Sequence, residues 1–232
     1  MNHISAILLC GGKGERLRPL TQAVPKPMIP LNGDPLLLHL MRHLSGYGIS
    51  RFVVCVGYRA EVIESFVAKR EEAGWDVVCV NSGDATMTDR IVDARETVPD
   101  GPALVCYGDV LADVDLAALR HAHEKSGALA TVTVHPLDSP FGIVEFDTSR
   151  CVSRFVEKPR LPYWTNIGFM LFEPGAFSYL DRGSDMPEFL STLARAGVLS
   201  AYEHTGNHLT VNTDKDRAQA EDAIKLFAAS GR

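Results

Sequence analysis

With 232 residues, 46% of them hydrophobic and 22% charged, the chain is long enough to bury a core and too apolar to be disordered, and it is no disulfide-stapled mini-protein. Its 23 Lys and Arg against 29 Asp and Glu leave a formal charge of −6, which argues against a nucleic-acid partner but permits a small anion wherever cations gather. The apolar run Ile4–Cys10 is too short to span a bilayer and lacks the basic prelude of a secretory signal, so we expect no membrane partner and a cytoplasmic location.

In chain order, short β-rich runs alternate with helical patterns. Strand Ile4–Cys10 is followed by a helix around Pro35–Tyr47, strand Phe52–Val56, helix Glu61–Glu72, strand Val77–Val80, a helix near Thr88–Thr97 and strand Ala103–Tyr107. Such alternation predicts a parallel sheet with crossover helices on both faces, whose ligands bind at the carboxyl ends of the strands. The second half reads differently, with strands at Ala130–His135, Gly142–Phe146, Val152–Val156 and Gly168–Phe172 and little helix between them. That stretch predicts an antiparallel or mixed part forming the other wall of a cleft. Helices follow at Asp185–Ala196, with Pro187 in the first turn, and at Asp214–Ala229. No linker or repeat interrupts the chain, so we expect one domain over 1–232, with 1–115 and 116–232 as its two halves.

The five cysteines, Cys10, Cys55, Cys79, Cys106 and Cys151, form no Cys-x-x-Cys and read as reduced thiols in or near the core. His39 and His43 lie four apart on a helix, yet no acid or thiol at matching spacing joins them, so they are not taken as zinc ligands. His121 and His123 face different ways on a helix, and His204 and His208 read as surface histidines flanking a strand. Glu61, Glu64, Glu71 and Glu72 read as a solvated helix face.

The first strand runs into Cys10-Gly11-Gly12-Lys13-Gly14-Glu15-Arg16-Leu17-Arg18-Pro19-Leu20-Thr21. Glycines let successive N–H groups converge on phosphate oxygens, and Lys13, Arg16 and Arg18 add charge-assisted contacts, so the segment reads as a phosphate-binding loop. It is not a Walker loop, because no Gly-Lys-Ser/Thr closes it, and Arg16-Leu17 breaks the dinucleotide fingerprint. The alternative is a glycine-rich connection with surface cations. A dozen residues on, Val24-Pro25-Lys26-Pro27-Met28-Ile29-Pro30 holds Lys26 on a stiff backbone, which suits a cation that meets a phosphate at a fixed distance.

These two motifs resemble the opening of the sugar-1-phosphate nucleotidyltransferases and, within them, the glucose-1-phosphate cytidylyltransferases. The resemblance continues through Gly46-Tyr47-Gly48-Ile49, Gly57-Tyr58, Gly83-Asp84-Ala85-Thr86-Met87-Thr88, Tyr107-Gly108-Asp109, Ala112-Asp113-Val114-Asp115, Glu157-Lys158-Pro159 and Glu203-His204-Thr205-Gly206. It implies a Rossmann-like three-layer α/β/α fold with a mostly parallel mixed sheet and a small antiparallel sugar-binding lobe. It also implies a Mg²⁺-dependent enzyme that joins a nucleoside triphosphate, CTP by this resemblance, to a sugar 1-phosphate and releases pyrophosphate. Because the attacking phosphate is already a nucleophile, catalysis is mostly positioning and charge neutralisation.

By resemblance, Arg16 and Lys26 are catalytic. Leu9, Gly11, Gly12, Lys13, Gly14, Ser82, Gly83, Thr88 and Gly108 hold the nucleotide, and Gly142, Glu157, Lys158 and Asn166 hold the sugar phosphate. Asp109 and the residue before Thr213 bind Mg²⁺. Three features depart from the pattern. Asp89-Arg90-Ile91 stands where the family has a glycine pair, and Ile167 replaces a small residue beside the sugar pocket. The residue before Thr213 is Asn212, a carbonyl donor without negative charge. A rival register puts that ligand at Thr210, and Asp214 or Asp216 are further candidates. Three readings stay open: a CTP-using enzyme, an enzyme using GTP with a heptose or mannose 1-phosphate or another phosphorylated acceptor, and a catalytically silent binding subunit. Relatives commonly assemble, so a homo-oligomer is among the expectations.

Overall fold

Every residue of the first strand is buried, and successive side chains of such a strand point to opposite faces of a sheet. The first strand therefore lies at the centre, covered on both sides. The computed structural model describes residues 4–15, 20–69, 74–211 and 213–230. The elements are β1 (Ser5–Leu9), α1 (Leu20–Ala23), β2 (Pro30–Leu31), β3 (Asp34–Pro35), α2 (Leu36–Gly46), β4 (Arg51–Val56), α3 (Ala60–Ala68), β5 (Asp76–Asn81), α4 (Met87–Arg95), β6 (Ala103–Tyr107), β7 (Val110–Ala112) and α5 (Leu116–Ser126). Then come β8 (Ala130–Asp138), β9 (Ile143–Phe146), β10 (Val152–Val156), β11 (Arg160–Phe172), α6 (Met186–Arg195), β12 (Leu199–Glu203), β13 (His208–Thr210) and α7 (Asp214–Ser230).

Seven strands form one sheet in the order β12-β8-β11-β6-β1-β4-β5. β6, β1, β4 and β5 run parallel, β12 runs parallel to β8, and β11 is antiparallel to both of its neighbours. Period-2 alternation sorts the side chains into two cores. Ala6, Leu8, Phe52, Val54, Leu104, Cys106, Phe169 and Leu171 pack with residues of α2, α3, α5 and α7. Ile7, Leu9, Val53, Cys55, Val105, Met170 and Phe172 pack with residues of α4 and α6. The result is the expected three-layer α/β/α architecture around a mixed sheet.

Three of the second-half strands, β8, β11 and β12, join the central sheet, and the others form small antiparallel pairs beside it. The last six residues of β11 are buried and fill the place between β6 and β8, while β9–β10, β7–β13 and β2–β3 each form a two-stranded sheet of their own. No α-helix separates β8 to β11, as read, and α5, the helix that carries His121 and His123, has ordinary end signals. Asp115 accepts hydrogen bonds from the N–H groups of Ala117 and Ala118 at 2.9 and 3.0 Å, and Gly127 closes the helix in the left-handed conformation at φ 64°. α6 begins as expected, with Pro187 in its first turn and Asp185 accepting from the Glu188 N–H at 2.8 Å. Among the described residues, no helix is long and apolar enough to cross a membrane.

Candidate active site

The loop after β1 is fixed by backbone bonds to the strands beside it. Cys10 N–H donates to Cys55 O at 2.8 Å, Gly108 N–H to Leu9 O at 3.0 Å and Tyr58 N–H to Gly11 O at 3.2 Å. These bonds hold the loop across the carboxyl ends of β1, β4 and β6, where the sheet topology predicts a ligand. A cavity of about 630 Å³ opens there, lined among others by Leu9, Gly11, Gly12, Lys13, Gly14, Lys26 and Asp109. Its size matches small-molecule sites.

Two glycines of the loop serve packing. A Cβ on Gly11 would sit 2.2 Å from the Arg90 guanidinium carbon, and one on Gly14 (φ 58°) would meet Thr21 Cγ2 at 3.0 Å and Lys26 Cβ at 3.2 Å. Gly12 meets nothing within 4 Å and leaves its backbone open. Lys26 begins a 3-10 turn, Lys26–Met28, that Pro25 and Pro27 stiffen as expected. The lysine is buried, and its Nζ donates to Asp109 Oδ2 at 2.7 Å. A catalytic candidate and a metal candidate 83 residues apart in sequence thus meet on the cavity wall. Lys13 pairs with Asp84 at 3.2 Å, an exposed pair that adds little energy.

Arg90 is the residue that sequence reasoning missed. It is 5% exposed, lines the cavity, and donates to Val56 O and, at 2.7 Å, to Gly83 O. Among the described residues it has no carboxylate partner, so its charge is not cancelled by an ion pair. Its guanidinium also occupies the space that a Cβ on Gly57 would take. Tyr107 also lines the cavity; burial, and then the Asp109 carboxylate, hold its phenol above the ordinary range, while a hydrogen bond with Asn166 works the other way. Burial pushes the Cys10 thiol well up, which leaves it a neutral wall group.

The remaining candidates lie outside the cavity lining. Ser82 is half-buried, and Gly83 (φ 64°) offers its carbonyl to Arg90. Thr88 is fully buried, with its hydroxyl donated to Ser184 O. Gly108 has no room for a Cβ because Cys10 Sγ would lie 2.3 Å away. Gly142 packs against Phe155 and Glu157, so Gly142 and Glu157 do come together. Lys158 is exposed at φ 45°. Asn166 accepts from Gly168 N–H at 2.9 Å at the bulge in β11. Tyr107, packed where a Cβ on Gly168 would be, links this side to the cavity. Arg16 and Asn212, the other catalytic and metal candidates, lie outside the described residues.

Other expectations are corrected. Ile167 is 2% exposed within the core beneath β11, so its branched side chain does not enter the sugar side. His204 is buried, not on the surface: it sits 3.1 Å from Asp113, whose carboxylate also accepts from Asn207 N and Nδ2, both at 2.7 Å. Gly206 leaves no space there for a Cβ. His39 and His43 address the carbonyls of Leu31 and Val114 at 2.9 and 3.0 Å. Cys10, Cys55 and Cys106 are buried thiols as read, whereas Cys151 is exposed.

The family model described as nucleotidyl transferase matches residues 5–212. The chain is 33% identical to the glucose-1-phosphate cytidylyltransferase of Salmonella typhi, over 94% of this chain and 95% of the relative. It is 28% identical to the mannose-1-phosphate guanylyltransferase catalytic subunit beta of Drosophila melanogaster, over 93% of this chain and 61% of that protein. In fold it resembles the crystal structure of HddC from Yersinia pseudotuberculosis complexed with GMP-PN, with a TM-score of 0.73 at 21% identity, covering 95% of this chain and 99% of that one.

Proposed function

The chain belongs to the nucleotidyl transferase family as a sugar-1-phosphate nucleotidyltransferase, and we propose that it transfers a cytidylyl group from CTP. The observation that carries the nucleotidyl-transfer part of this reading is the Lys26–Asp109 pair on the wall of a glycine-lined cavity at the carboxyl ends of β1 and β6. A triphosphate laid along Gly11–Gly14 meets open backbone at Gly12, with the Lys26 ammonium beside it. An oxygen of the sugar 1-phosphate attacks the α-phosphorus, the bond from the α-phosphorus to the bridging oxygen breaks, and pyrophosphate leaves with that electron pair. No side chain has to act as nucleophile. Lys26 offsets the charge that develops on the phosphate oxygens, and Arg90 adds a second cation to the wall.

The donor set fits a hard divalent cation. Asp109 presents a carboxylate to the cavity, and magnesium is commonly held by one or two carboxylates together with substrate phosphates. Asp109 would hold it, and Asn212 would add a neutral oxygen. Bound there, the ion would supply further charge neutralisation on the phosphates. On the acceptor side, Gly142, Glu157 and Lys158 are the candidates to hold the sugar phosphate. The choice of CTP rests on the match through Asn81–Thr88 and on the cytidylyltransferase relative. A guanine nucleotide with another sugar 1-phosphate is the second reading, favoured by the guanylyltransferase relative.

A matrix of nucleoside triphosphates against hexose, aminohexose and heptose 1-phosphates, read as Mg²⁺-dependent pyrophosphate release, tests the proposal. The expected result is turnover in the CTP row. Turnover in the GTP row alone moves the chain to the second reading. A blank matrix with measurable nucleotide binding identifies a binding subunit.

A further inference from the structure

Asp89 stands where the resemblance expects a glycine pair. Glycine leaves a backbone free, whereas an aspartate can tie it down by bonding to nearby N–H groups. The two oxygens of the Asp89 carboxylate have separate tasks. Oδ2 accepts from the Thr86 hydroxyl at 2.8 Å and from the Thr86 N–H at 3.3 Å, while the Asp89 N–H donates to Thr86 Oγ1 at 3.1 Å. These bonds close a capping box on the first turn of α4. Oδ1 reaches outside the helix and accepts from the Gly183 N–H at 2.8 Å, 94 positions away. Gly183 lies at φ 79°, a conformation that favours glycine. The Gly183 and Thr86 bonds hold the Asp89 carboxyl below the ordinary carboxylate range.

Two further contacts join the same stretches. Thr88 donates its hydroxyl to Ser184 O, and Arg182 pairs with Asp93 at 2.8 Å. Residues 182–184, on the approach to α6, thus clasp α4. What the clasp holds is cavity wall: Asp84, Ala85, Met87 and Arg90 line the cavity, and Asp89 itself does not. The Arg90 N–H donates to Thr86 O at 3.2 Å, so the backbone that carries Arg90 is the turn that Asp89 caps. An uncapped first turn leaves its N–H groups unpaired and frays. Fraying here would carry the guanidinium away from Val56 O and Gly83 O, its two acceptors.

On the nucleotidyl-transfer reading of this cavity, on which the inference rests, we propose that Asp89 is a positioning residue for nucleotide binding. By locking the first turn of α4 to residues 182–184, it fixes Arg90 on the cavity wall. The acceptor side is not touched by this lock.

Calorimetric titration of CTP and of GTP, with Mg²⁺, into the intact chain tests this in a cycle of Asp89→Ala and Arg90→Ala. Asp89→Ala should weaken the tighter-binding nucleotide about tenfold and leave the KM for the sugar 1-phosphate unmoved. In the Arg90→Ala background the same change should weaken binding by less than about twofold. An equal loss in both backgrounds overturns the proposal, as does a folded Asp89→Ala that binds nucleotide like the wild type or raises the KM for the sugar 1-phosphate as much. Where Asp89→Ala does not fold, Asp89→Asn, which keeps one of the two acceptor oxygens, takes its place in the cycle with the same expectation. A wild type that binds neither nucleotide overturns the reading of the cavity and the proposal with it, whereas a failed cycle in a chain that binds nucleotide overturns the proposal alone.

Discussion

The two sides of the molecule hold their functional candidates in opposite ways. Around β1 the cavity wall is built from buried parts: Lys26 on its proline-stiffened turn, Arg90 threaded between Gly11 and Gly57, and Asp109 at the end of a covered strand. On the hairpin side, Glu157 and Lys158 are exposed and flank strands with no cover on either face. Charges fixed in a protein wall need no reorganisation when phosphate charge develops, while exposed charges are screened and mobile. Under the proposed function, the first region suits the chemistry and the second suits recognition.

The largest effect expected from this contrast is kinetic. Lys26→Ala should lower kcat/KM for pyrophosphate release by about 10²–10³-fold. Lys158→Ala should raise the KM for the sugar 1-phosphate by about tenfold and leave that for the nucleotide unmoved. Equal losses in the two variants would erase the distinction between the regions.

A thermal-melting cycle sharpens the packing half of the comparison. Gly11→Ala puts a methyl group into the Arg90 guanidinium and should cost about 1–3 kcal/mol. In an Arg90→Ala background the same change should cost almost nothing. Additive losses would show that the guanidinium does not fill the space beside Gly11.

The smallest effect concerns β13, which runs antiparallel to β7. Burial, and then His135 and His204, lower the His208 pKa from 6.5 to about 4. The unfolded chain therefore binds the extra proton first as pH falls. Stability from this group is complete above pH 6.5 and declines towards pH 4, by about 1 kcal/mol once partial exposure is discounted. His208→Gln should flatten that part of the melting profile, and an unchanged slope would remove His208 as its source.

How much of this was legible in the sequence follows from the range of each interaction. β1, β4 and β6 announce themselves as short apolar runs, and their ends carry Gly11–Gly14 and Asp109, so a local pattern was enough to place them. The proline frame likewise gave Lys26. Arg90 was hidden because an arginine in a helical pattern reads as solvated, and its burial depends on Gly11 and Gly57, 79 and 33 positions earlier in the numbering. The same holds for His204, whose partner Asp113 lies far back in the chain, just after β7. β11 extends to Arg160 although only its final stretch is a continuous apolar run, because its first half pairs with the end of β8 at the surface.

Amide hydrogen exchange with and without CTP and Mg²⁺ tests the central assignment directly. The account predicts new protection at Gly11–Gly14, at the turn carrying Lys26 and from Asp84 to Arg90, with residues 141–158 unchanged until a sugar 1-phosphate is added. Protection confined to residues 141–158 on adding nucleotide alone, or bound nucleotide with no protection at Gly11–Gly14, would contradict it.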